Sequence, residues 1–77
     1  LQRTWDLLGQ VMEALEPEDQ VILRMRFFDG FKVVDIARSL HLKQKPLYRR
    51  IEKLLNTLRR DMEERGVDRD DLEDLFR

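Results

Sequence analysis

Cysteine is absent from this 77-residue chain, and histidine occurs once, at His41. The first absence excludes disulfides and thiolate chemistry. The second leaves a conventional zinc site short of nitrogen and sulfur ligands. Three glycines and two prolines are too few and too scattered for a glycine-rich phosphate loop. No run of about eighteen apolar residues occurs, so no membrane-spanning helix is expected. No signal-peptide pattern opens the chain, and a cytoplasmic protein is the expectation. Strand-like alternation, internal repeats and low-complexity stretches are missing too. With no nucleophile–base pair either, an enzyme is the least expected class, and no cofactor is expected. The opening Leu1, where a methionine would start a complete product, is expected of a piece of a longer protein. A chain this short buries a modest fraction of its surface and makes one small domain at most.

Charge is present in quantity and sorted along the chain. The net charge is −1, which alone argues against a nucleic-acid partner; its distribution argues the other way. Residues 43–60 hold seven cations and one acid, Glu52, a net +6. Residues 61–77 hold eight acids and three arginines, a net −5. A strongly basic segment is therefore followed at once by an acidic tail.

Apolar spacing predicts an all-α chain. A first helix is expected over Gln2–Leu15, with Trp5, Leu8, Met12 and Leu15 at three- and four-residue steps. Pro17, flanked by acids that suit a helix start, opens a second over Pro17–Phe28. Its apolar set is Val21, Ile22, Met25 and Phe28, widened by Leu23 and Phe27. Asp29-Gly30 ends it, Gly30 suiting a left-handed cap, and Phe31 is expected in the core. A third helix, Val33–Leu40, starts without a Ser, Thr or Asp cap because Lys32 holds that place. The turn His41-Leu42-Lys43 lacks glycine, and His41 is the residue there best able to take positive φ. A fourth helix spans Lys45–Arg65 and stops at Gly66. A fifth, Arg69–Phe76, starts on Asp68 with Asp71 three residues on; Leu72, Leu75 and Phe76 give it an apolar edge.

The third and fourth helices carry most of the information. Ile36 and Leu40 bury one face of the third, and Ala37 is the small residue where two helices cross closely. Leu42 plugs the turn. Leu47, Ile51, Leu54 and Leu58 bury one face of the fourth, and Pro46 sits in its first turn, where a missing N–H costs nothing. This is the layout of a helix-turn-helix whose second helix enters a DNA major groove. The expected architecture is a small helical bundle of the three- or four-helix DNA-binding type, like a winged helix without the wing, plus a short acidic C-terminal helix. The expected division is 1–66 for the helix-turn-helix domain and 67–77 for the acidic helix packed on it.

In order and without gaps, Leu15 to Arg59 resembles region 4 of the sigma-70 family of bacterial RNA polymerase sigma factors, and especially its extracytoplasmic-function branch. The shared features are Pro17, Met25-Arg26-Phe27, Asp29-Gly30, Asp35-Ile36-Ala37, Leu40 with Leu42, and Leu58-Arg59. Departures cluster near the turn: His41 replaces a glycine, Lys43 a capping hydroxyl residue, and Pro46-Leu47 a Thr-Val pair. Gln20 replaces an arginine, Asp35 a glutamate and Lys32 a cap. The resemblance implies a promoter minus-35-recognition domain that acts in transcription initiation. Its implied partners are promoter DNA and the β flap of the RNA polymerase core, with an anti-sigma factor as a further candidate. The exposed members of Met25, Phe27, Phe28 and Phe31 would supply the apolar surface for the flap.

The exposed residues of the first two turns of the fourth helix are Gln44, Lys45, Tyr48, Arg49 and Glu52, and base-reading positions in that family match the first four. Arg49 can address guanine O6 and N7, Gln44 adenine N6 and N7, and Lys45 guanine. Lys43, Arg50, Lys53 and, from the third helix, Arg38 are expected on phosphates. Two other readings stand beside this one: a protein-interaction module that keeps the fold without promoter binding, and a response-regulator-type DNA-binding output domain. A last expectation concerns the acidic helix. Its apolar edge, with Val67, should fold back on the first or fourth helix, and its acids would then lower the positive field felt by DNA.

Overall fold

A computed structural model describes residues 2–75, less the side chain of Gln2. The elements are helix α1 (Gln2–Glu13), helix α2 (Pro17–Leu23) running directly into a π-helical turn (Arg24–Phe28), α3 (Val33–Leu40), α4 (Gln44–Glu64) and α5 (Arg69–Leu75). No strand occurs among the described residues, as the spacing of apolar residues requires. No described helix is long and apolar enough to cross a membrane.

Helix ends follow local chemistry. Pro17 occupies the first turn of α2, and acids Glu18 and Asp19 follow it. Neither Lys32 before α3 nor Lys43 before α4 makes a side-chain cap, so both starts depend on packing. The ends are better built. At the close of α3 the Leu42 N–H donates to the Ala37 carbonyl at 2.8 Å and the His41 N–H to the Arg38 carbonyl at 3.4 Å. At the close of α4 the Val67 N–H donates to Met62 at 3.0 Å and the Gly66 N–H to Glu63 at 3.0 Å. Both are Schellman ends, with the residue after the helix in the left-handed region: Gly66 at φ 92° and His41 at φ 57°. The turn residue expected of His41 is therefore found.

Two hydrophobic clusters meet on α4. One joins Ile22, Val33, Ile36, Ala37, Leu47 and Ile51, the core of the helix-turn-helix. The other joins Leu8, Val11, Met12, Leu23, Leu58, Met62 and Leu72, so α1 and α5 share the far half of α4. Leu55 borders both. Ala37 is buried between α3 and α4, where a larger side chain would hold the helices apart.

Several apolar residues expected inside are outside. The sequence predicts an α-helix through Phe28, but from Arg24 the chain widens to a π turn, closed by the Asp29 N–H on the Arg24 carbonyl at 3.0 Å. A five-residue step moves later side chains off a 3.6-residue stripe. Phe28 is consequently 53% exposed and Phe27 stands at the surface. Phe31, expected in the core, is 45% exposed, and Val21 is exposed as well. Trp5, expected on the buried face of α1, is 48% exposed; its ring lies 6.1 Å from that of Phe28, tilted by 53°. Phe76, expected on the apolar edge of α5, lies outside the described residues.

Candidate nucleic-acid interface

Helix α4 has one buried stripe, Leu47, Ile51 and Leu58. Successive residues turn by about 100°, so Lys45, Arg49, Glu52 and Asn56, at steps of four, three and four, line up on the opposite side. All four are exposed. Gln44 and Tyr48 lie on one flank of this stripe and are exposed too, and Lys53 lies on the other. The structure thus brings the four expected base readers, Gln44, Lys45, Tyr48 and Arg49, onto one continuous surface at the start of the helix. Arg38 and Lys43 are exposed nearby, on α3 and at the entrance to α4. None of Arg38, Lys43, Lys45, Arg49 and Lys53 forms an ion pair among the described residues. Their charge is directed at solvent, which is what a surface meeting phosphates needs.

Arg50, expected on phosphate, is half-buried, and its guanidinium donates to two acids of α2. Nε donates to Asp19 Oδ1 at 2.7 Å and Nη1 to Glu18 Oε1 at 2.7 Å. The hydrogen bond to Glu18, seconded by Asp19, raises its pKa further above an already high value. Arg50 instead ties α4 to the first turn of α2, the two acids also lying at the favourable end of that helix's dipole. Gln20 is similarly occupied, its Nε2 donating to the Leu15 carbonyl at 2.9 Å and holding the α1–α2 joint.

Sequence reasoning passed over Asn56, although its place on the stripe follows from helical spacing alone. Trp5 carried no such signal, because the ring beside it, Phe28, comes from the π turn. Those two rings border an apolar cleft whose floor includes Leu8, Met12, Leu23 and Leu58.

A family model described as "Sigma-70, region 4" matches residues 5–58 of the chain. The chain belongs to the sigma-70 region 4 family. No curated protein and no solved structure matches it. Region 4 is a DNA-binding domain of sigma factors and not an enzyme family. The membership decides against the response-regulator reading, which rested on the same helix-turn-helix layout. The match begins at Trp5 and ends at Leu58, so it takes in most of α1 and ends within α4, before α5. In this region 4 domain α5 is nonetheless part of the core, with Leu72 only 1% exposed beside Leu58 and Met62.

That packing bears on the expected electrostatic damping. Leu75, at the end of α5, lines the same cleft as Leu58. From Arg49 to Leu58 is roughly 14 Å along the helix at about 1.5 Å per residue. The Debye length at physiological salt is about 8 Å. Leu72, with Val67 and Leu75, thus anchors the tail beside the far half of α4.

Proposed function

We propose that this domain recognises the minus-35 element of promoter DNA through the first half of α4 and so helps an RNA polymerase core begin transcription. The observation that carries this reading is the cationic surface of Lys45, Arg49 and Lys53, without ion pairs among the described residues, on a helix braced by a helix-turn-helix core. Gln44, Lys45, Tyr48 and Arg49 reach base edges; Lys43, Lys53 and Arg38 hold phosphates. Arg50 contributes by fixing the angle of α4 against α2. Few phosphate contacts mean weak binding to free DNA and a steep dependence on salt, so polymerase supplies much of the affinity.

The exposed Trp5, Phe27, Phe28 and Phe31 support a second contact, with the β flap of the polymerase core. Scattered apolar residues at a surface are ordinary, but Trp5, Phe27 and Phe28 are grouped around one apolar cleft, as at an interaction site. An anti-sigma factor would act by covering either surface, in a cytoplasmic setting.

The test compares duplex binding by Arg49→Ala and Lys53→Ala variants, with and without polymerase. Arg49→Ala should cost about 1–3 kcal/mol and relax preference at one base pair, while Lys53→Ala should weaken all sequences about equally and lower the salt slope. If neither variant changes binding, α4 does not enter the groove. If DNA binding is missing while polymerase binding persists, the protein-interaction reading replaces this one.

A further inference from the structure

We propose that Glu52 is a specificity-determining residue that selects cytosine next to the base pair read by Arg49. This rests on α4 lying in the major groove, the reading argued above. Three observations carry it. Glu52 is the one acid among the seven cations of residues 43–60. It stands in the exposed stripe Lys45, Arg49, Glu52, Asn56, opposite the buried Leu47, Ile51 and Leu58. Among the described residues it forms no ion pair, although Arg49 precedes it by three residues and such neighbours readily pair on a helix.

The chemistry then follows from the groove. A carboxylate facing DNA accepts hydrogen bonds and donates none. Phosphate oxygens and guanine O6 and N7 are acceptors and repel it. The cytosine N4 amino group is a major-groove donor that suits it. Adenine N6 is also a donor, but the adjacent N7 acceptor is better met by an amide, which both donates and accepts. The position follows from helix geometry. Three residues advance about 4.5 Å along α4, against roughly 3.4 Å per base pair. The selected cytosine therefore lies one to two steps from the guanine read by Arg49. A carboxylate in an otherwise cationic surface lowers affinity for every sequence and discriminates by being tolerated only at its match, a common route to specificity.

Selection of duplexes randomised over about ten base pairs, by the 77-residue chain at low salt, tests this with wild type, Glu52→Ala, Glu52→Gln and Arg49→Ala. Wild type should enrich cytosine about tenfold at one step beside the Arg49-dependent position. Glu52→Ala should lose that preference alone while binding non-specific duplex more tightly. Glu52→Gln should move the preference at that step to adenine. An unchanged base profile in both Glu52 variants, with only overall affinity raised, would overturn the proposal while leaving the Arg49 reading intact. A wild-type chain without preference at any position, and an Arg49→Ala variant identical to it, would overturn both.

Discussion

The two halves of α4 are one continuous helix with opposite duties. In the first half, Leu47 and Ile51 pack on α2 and α3 while Lys45, Arg49 and Lys53 stay bare. In the second half, Leu58 and Met62 are enclosed by α1 and α5. The apolar stripe runs through both, so the stripe does not make the difference. Which helices cover each half does. A half packed on the preceding helix-turn-helix keeps a wide open side, and cations collect there because burying an unpaired charge is costly. A half held by helices from both ends of the chain becomes structural core. Recognition and stability are thereby separated along about 30 Å of one helix.

Substitutions at Leu72 test that separation most severely. Leu72→Ala should cost about 2–5 kcal/mol through the cavity it leaves. In a domain this small each kcal/mol lowers the melting temperature by about 4–8 °C. Thermal denaturation would reveal the loss, and sequence preference measured well below the melting temperature should not change. A shifted preference would show that the halves are coupled.

The first half has its own weak point at the α3–α4 crossing. Ala37→Leu should cost about 1–3 kcal/mol by overpacking and should disturb DNA preference along with stability, since it tilts the recognition surface. An unchanged melting temperature would count against the close crossing.

A smaller effect is expected at the strut joining α4 to α2. Arg50 is about one-third exposed, at 35%, so solvent screens its bridges and Arg50→Ala should cost at most about 1 kcal/mol. If Arg50 acts only inside the protein, the variant should weaken specific binding without lowering the salt slope. A slope reduced by about one would put Arg50 on a phosphate after all.

The smallest change concerns the two Schellman ends, alike in hydrogen bonding and different in the residue at positive φ. His41→Gly should stabilise the domain by about 0.5–1 kcal/mol, since glycine relieves the left-handed strain at the price of some unfolded-state entropy. Equilibrium unfolding in urea measures this directly, and a destabilised variant would mean that the His41 side chain contributes contacts of its own.

Local chemistry made much of this legible in advance. Helix ends at Pro17, Gly30 and Gly66, the left-handed turn at His41, and the buried Ile36, Leu47, Ile51 and Leu58 all follow from short-range rules. Those are backbone sterics and the 3.6-residue period, which act within a few residues. The exposed stripe of Lys45 and Arg49 follows from the same period. Tertiary structure alone decided three things. The π turn at Arg24–Phe28 put Phe27 and Phe28 at the surface and Trp5 beside them, because one widened turn changes which residues share a face. The pairing of Arg50 with Glu18 and Asp19 joins residues more than thirty positions apart, and nothing in the basic run marked Arg50 as their partner. The burial of Leu72 against both Leu8 and Leu58 settled which helices the apolar edge of the tail folds back on, the first and the fourth together. Charge and periodicity are properties of a segment and can be read along it. Which segment covers which depends on the whole chain closing around its apolar surface.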